Sequence, residues 1–177
     1  MLRINTNENV LAVYRRHWLI LFVDIAIMVF VGLVVLAMAL LLRKFIPSFY
    51  LNPLRPFTFW LIFMIYHAIL IAFFVRFADY WLDAWILTNE RIVDIEQKGL
   101  FRREVSEFKL DKIQDVSTDV KGIVQTLFHY GDVQIQTAGF EKRFVFKTVR
   151  EPQNIKNQIL RAYDEYLEIK KSQGATV

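Results

Sequence analysis

HYGDVQIQTAG, residues 129–139, is a strand with two unlike faces: Val133, Ile135 and Thr137 fall on one side, Asp132, Gln134 and Gln136 on the other. Successive side chains of a strand point to opposite faces, so this period of two predicts one wall packed on a core and one wall open to water. The chain around it has 177 residues, 55% of them hydrophobic and 15% aromatic, with no cysteine. Thiol chemistry, disulfides and thiolate metal sites are therefore excluded. A water-compatible strand in so apolar a chain implies two parts with different surroundings.

Upstream the pattern changes. Residues 18–42, WLILFVDIAIMVFVGLVVLAMALLL, run for 25 positions with Asp24 as their single charge, and residues 57–75, FTFWLIFMIYHAILIAFFV, run for 19 with none. Roughly 20 apolar residues of helix cross a bilayer core, so both are expected to be spans. The first is too long for the apolar region of a cleaved leader, and no small-residue site precedes Arg43 and Lys44, so it is expected to stay on the protein. Pro47, Pro53 and Pro56 mark residues 43–56 as a short connection, because proline lacks the N–H that a helix interior needs. Trp18, Trp60, Trp81, Tyr50 and Tyr80 lie near the expected interfaces, where amphipathic rings settle.

The net charge of +4 is not spread evenly. Six bases meet two acids up to Val75, and sixteen meet sixteen from Arg76 onward. A neutral soluble part argues against nucleic acid as a partner, since backbone recognition needs a clustered excess of Lys and Arg. Arg15, Arg16 and Arg76 flank one side of the two spans, while Arg43, Lys44 and Arg55 sit in the connection. With the long tail after Val75, this balance places both termini in the cytoplasm of a multi-pass cell-membrane protein.

After Arg76, strands are expected over 80–88, 91–98, 102–109, where Val105 and Phe108 are the apolar marks, and 113–120. Residues 122–129 suit one or two helical turns. The opening strand follows, then 143–149 with Phe144 and Phe146 turned inward. Pro152 opens a closing helix with Ile155, Ile159, Leu160, Tyr163 and Leu167 at helical spacing. The organisation is thus a cytoplasmic lead segment at 1–17, a transmembrane hairpin at 18–75, a soluble domain at 76–169 and a tail at 170–177 expected to fray. Residues 79–171 are expected to fold by themselves.

Six or seven antiparallel strands closed by one helix outline a pleckstrin-homology-like barrel. Three stretches, LTNERIV at 87–93, KGLFRREVSEFKLDKIQDV at 98–116 and HYGDVQIQTAG itself, resemble the YdbS-like group of bacterial pleckstrin-homology membrane proteins. ENVLAVYRRHW at 8–18 looks like that family's lead into its first span. The resemblance covers roughly 8–161 and implies a membrane-anchored α+β protein: an N-terminal two-helix transmembrane hairpin followed by a PH-like antiparallel β-barrel with a C-terminal helix cap. The second, tandem barrel of longer relatives is missing from this chain.

Catalytic, cofactor and metal sites are not expected. His17, His67 and His129 are scattered, and no HExxH or glycine-rich phosphate loop is present. Gln114, Asp115, Gly131, Asp132, Thr137 and Gly139 read as fold maintenance, the glycines for freedom at positive φ and Asp132 as a turn acceptor. Lys98, Arg102 and Arg103 on one hairpin end, with Lys142 and Arg143 on another, are candidates for anionic headgroups, although Glu104, Glu107 and Glu141 dilute them. Asp24 and His67, counted inward from Trp18 and Val75, come to similar depth and are a candidate intramembrane polar pair, with Tyr66 as an alternative partner for Asp24. Two functions are compatible with these features: a non-catalytic binding or scaffold module docking a protein, a second copy or an anionic lipid at the bilayer surface, or a subunit of a small oligomeric channel or transporter with the barrel as its collar. The spans have few small residues for close helix packing, which favours the first.

Overall fold

The computed structural model describes residues 8–45, 55–137 and 144–174. The chain divides into two compact units, one of residues 18–80 and one combining 1–17 with 81–177.

The first unit is a pair of helices, α1 (Trp18–Phe45) and α2 (Arg55–Leu82), each of 28 residues. Both are long and apolar enough to cross a membrane. Large apolar side chains are exposed on almost every turn, Phe22, Phe30, Leu40, Trp60 and Ile71 among them, and a helix apolar all round needs an apolar surrounding. Each helix outruns its expected span. Arg43 and Lys44 occupy the last turn of α1, where cations meet the negative end of the helix dipole. Pro56 lies in the first turn of α2, where its missing N–H costs nothing. The rest of the expected connection, 46–54, lies outside the described residues.

At its other end α2 continues to Leu82, so the strand expected from Tyr80 starts only at Ala84. No Gly or Pro interrupts residues 76–82, and the strand propensity of Tyr80 and Trp81 does not outweigh an established helix. Asp83 alone separates helix from strand.

Among the described residues the second unit holds seven strands in two antiparallel sheets. The first has the order β1 (Val10–Tyr14), β2 (Ala84–Thr88), β3 (Arg91–Lys98), β4 (Arg102–Lys109). A short 3-10 turn (Leu110–Lys112) leads to the second, of β5 (Ile113–Asp119), β6 (Tyr130–Thr137) and β7 (Phe144–Arg150). A five-residue helix α3 (Ile123–Leu127) joins β5 to β6, and α4 (Pro152–Gly174) follows β7. Among the described residues the sheets do not close into a full barrel: one isolated bridge, Arg16 to Val149, joins them at a corner. The lead segment therefore contributes an edge strand, and the helical pair is inserted between two neighbouring strands of one sheet. Residues 79–171 alone lack β1.

The opening strand keeps its alternation, with Val133, Ile135 and Thr137 buried and Gln136 exposed. Trp85 stacks on Phe146 at 5.1 Å and Phe108 on Phe144 at 4.5 Å, across the two sheets. Of the two apolar marks on β4, Phe108 is buried, whereas Val105, an odd interval away and so on the opposite face, is 47% exposed. On α4 the buried positions are Ile155, Ile159 and Ala162, with Tyr163 and Tyr166 packed against the core, whereas Leu160 is 37% exposed. Spacings of four and three define the stripe, and Leu160 falls beside it. The helix continues past Lys170, whose ammonium reaches Asp111 at 3.2 Å, to Gly174, and residues 175–177 of the expected tail lie outside the described residues.

Two local devices set the second sheet. Gly131 has no positive φ; a Cβ there would lie 2.7 Å from the Asp119 carbonyl oxygen and 2.8 Å from Val120, so the residue is needed for close approach rather than for a turn. Asp132 is likewise no turn acceptor. Its Oδ1 takes the Thr148 N–H at 2.7 Å across a bulge, where Thr148 has φ +54, a conformation costly for a β-branched residue. The Thr148 carbonyl in turn accepts the His17 N–H at 2.7 Å.

Because β1 belongs to the sandwich, joining His17 to Asp83 through a short Gly/Ser linker should give a water-soluble domain that melts cooperatively by circular dichroism, whereas 79–171 should not. In that linked domain Phe146→Ala, at a fully buried ring, should lower the unfolding free energy by about 3–5 kcal/mol in urea titrations. A neutral result would mean that the ring is not in the core.

Candidate functional site

Three polar or exposed constellations stand out in the sandwich unit, and each grows from a specific stretch of sequence. At one end of the β1–β2 pair lies a buried clamp. The Glu8 carboxylate accepts the Arg91 Nε at 2.8 Å and Nη2 at 2.6 Å, and the Thr88 hydroxyl at 2.9 Å. Arg91 Nη1 also reaches Glu107 at 2.5 Å. Hydrogen bonding to Glu8 is the main reason the guanidinium is held more firmly protonated than usual. Thr88 closes the β2–β3 turn by accepting the Glu90 and Arg91 N–H groups. The ENV and LTNER stretches are thus two halves of one fastening, with Asn9 N–H on the Asn89 side chain at 2.8 Å.

At the other end of the same strand pair, Arg16 binds Asp83 at 2.5 Å, and the Asp83 carboxylate is 1% exposed. Asp83 Oδ1 also takes the Gln97 N–H at 2.6 Å. Nearby Asp94 has its carboxyl pushed up to about 6, first by burial and then by the charge of Glu96; Asp83 adds to this, while Trp85 and Arg16 oppose it. His17, stacked on Tyr130 at 5.1 Å, is held below the usual imidazole range by burial first and Arg150 second.

The third constellation is the β3–β4 hairpin, whose three-residue turn begins at Gly99 with φ +72. Lys98 bridges Glu104 at 2.6 Å and Glu96 at 3.2 Å, and Arg102 meets Glu104 at 2.5 Å. These bonds hold the Lys98 ammonium up and the Glu104 carboxyl down. Arg103 is exposed but lies opposite Gln97, on the other face of the hairpin. The structure therefore brings Lys98 and Arg102 together, interleaved with acids, and leaves Arg103 on the far face of the same neck. Lys142, Arg143 and Gly139 lie outside the described residues. At the turn itself Phe101 is 99% exposed and Leu100 52%.

In the helical pair, Asp24 is half-buried and makes no hydrogen bond or ion pair with His67 or Tyr66. The Tyr66 hydroxyl instead donates to the Gly32 carbonyl at 2.8 Å, and His67 Nδ1 lies 2.9 Å from the Phe63 carbonyl of its own helix. The register of the pair accounts for the separation: Tyr66 stands at Gly32, so His67, one residue on, lies at the level of Gly32 and not of Asp24. A groove of about 470 Å³ lined by Ile25, Gly32, Tyr66 and Phe73 shows the same register.

The Glu8 and Asp83 clamps escape a reading of the sequence, although each is a lone acid at the edge of an apolar run. The apolar tip could have been found from GLFRR, two large apolar residues between a turn glycine and paired bases. Gln114 and Asp115 are exposed.

An antiparallel seven-strand sandwich with a closing C-terminal helix is the pleckstrin-homology class of fold. A family model described as "Bacterial PH domain" matches residues 18–163. The chain belongs to that family, whose PH fold is generally a non-catalytic binding module. A search of curated proteins finds no match. Among solved structures the chain is similar to a DUF1696 family protein with a pleckstrin-homology domain from Shewanella loihica PV-4, at 14% identity and TM-score 0.39 over 46% of this chain and 70% of that one.

The raised Asp94 carboxyl has a stability consequence. A folded-state value above the unfolded one means the folded protein binds the proton more tightly, so stability falls as pH rises from about 4 to about 6. Asp94→Asn should remove that fall. Denaturation in mild detergent should show the variant more stable than the parent at pH 7, by on the order of 1 kcal/mol after allowing for partial exposure, with the gap closing below pH 4.

Proposed function

We propose that the protein is a membrane-anchored binding or scaffold module acting at the cytoplasmic face of the cell membrane. The observation that carries this reading is the insertion of two membrane-length apolar helices between β1 and β2 of one sheet. Both ends of the helical pair are thereby tied into the PH-like unit, so anchor and module form a single device. The ligand is a protein partner, a second copy or an anionic lipid. Lys98, Arg102 and Arg103 are the headgroup candidates on the described surface, with Lys142 and Arg143 completing the set. Their pairing with Glu96 and Glu104 leaves a small net positive charge, in keeping with weak and reversible headgroup contact at about 1 kcal/mol per base at most. Asp24 and His67 serve the packing of the spans in this reading, each satisfied within the bundle or by a partner copy.

A reporter fused after Val177 should be active only if cytoplasmic, and one placed near Ser48 only if external; the reverse pattern would move the module to the other side of the membrane. Affinity capture of the detergent-solubilised protein, with mass spectrometry of the lipids and proteins that co-purify, identifies the ligand. Ion conductance in liposomes containing the purified chain would instead favour the channel reading.

A further inference from the structure

The β3–β4 turn carries two large apolar side chains that the core does not use. Phe101 is 99% exposed and Leu100 52%, and an exposed ring of this size at a hairpin tip costs solvation free energy that folding does not recover. Strand register shows which end of the sheet the tip occupies. Tyr14 lies opposite Trp85, Ala84 opposite Ile95 and Lys98 opposite Arg102. The last residue of β1, the first of β2 and the tip are therefore on the same edge of the four-stranded sheet. Beyond the level of Ala84, β3 continues through Glu96, Gln97 and Lys98 before it turns. At about 3.3 Å per residue the tip stands roughly 10 Å farther out than the start of β2.

The chain enters α1 three residues after β1 and leaves α2 one residue before β2. If the two helices span the bilayer, as proposed above and as this inference requires, that sheet edge is held within a few residues of the membrane surface. We infer that the Leu100–Phe101 tip is a third attachment to the bilayer, inserted into its interfacial zone without crossing it. The chemistry is matched. Apolar side chains lead, and Lys98, Arg102 and Arg103 follow at the neck of the hairpin, the depth at which long basic side chains meet phosphate headgroups. Three points of attachment would hold the sandwich in one orientation over the lipid instead of leaving it to swing on two chain crossings.

The absence of cysteine makes the test direct. Single variants Phe101→Cys, Lys109→Cys and Leu33→Cys of the full chain are labelled with an environment-sensitive fluorophore and reconstituted into phosphatidylcholine and phosphatidylglycerol vesicles doped with spin-labelled lipid. Lys109 is exposed at the far end of the same strand, and Leu33 lies in the first helix. The expected result is a blue-shifted label at 101, quenched by the spin-labelled lipid several-fold more than the label at 109, with the label at 33 also quenched. Quenching at 33 with 101 no different from 109 would overturn the insertion and leave the anchor intact. No quenching at 33 would overturn the anchor and the insertion with it. A blue shift at 101 without quenching would mean that protein, such as a second copy, covers the tip, and would also overturn the proposal. As a second variant, Phe101→Asp should reduce quenching of a label at Leu100→Cys while leaving the melting temperature unchanged, since the ring makes no core contact.

Discussion

Arg16 and Asp83 face each other 2.5 Å apart at the two points where the chain departs from the sandwich and returns to it. Sixty-odd residues of helical pair lie between them, and β1, five residues long, would be free to detach if the ends of that excursion were not held. A short edge strand has few ladder bonds with which to hold such an excursion closed. The answer in this fold is to pin β1 at both ends. Arg16 and Asp83 secure one end, and Glu8, Thr88 and Arg91 the other.

The choice of buried ion pairs for this task has a physical logic. Glu8 and Asp83 are almost wholly buried, while their arginine partners keep 18% and 25% exposure. A guanidinium that stays partly hydrated lowers the desolvation penalty of the pair, and its fork geometry fixes direction as well as distance. Losing one partner of such a pair leaves a buried charge uncompensated, at a cost of about 3–5 kcal/mol. These pairs hold one register more than they add net stability, and register is what a five-residue strand most lacks. The strained Thr148 bulge serves the same end, offering its carbonyl to His17 where β1 leaves the first sheet and approaches the second.

Much of the architecture was legible because it rests on periodicity. The two apolar helices, the alternation of β6, the hairpin of β3 and β4 and the closing helix all follow from the spacing of apolar residues, and the turn at Gly99 follows from glycine's freedom. Spacing is locally ambiguous on the closing helix, where Leu160 sits one step off a stripe that Ala162 completes. Tyr80 and Trp81 look like strand residues but remain helical because the preceding helix meets no stop signal.

The sequence by itself determined the two kinds of surface in this protein, the apolar helices and the two-faced strands, because hydrophobic periodicity is a local property of neighbouring residues. It also determined the family, through LTNERIV, the GLFRR hairpin and HYGDVQIQTAG. Only the tertiary structure decided that residues 10–14 are a strand of the sheet they precede by about 70 positions, because a strand is defined by its partner and β2 lies on the far side of the helical pair. The same holds for the pairing of Glu8 with Arg91 and Arg16 with Asp83, and for the steric need for Gly131. Each is a contact between residues distant in the chain, and no spacing rule reaches across that distance.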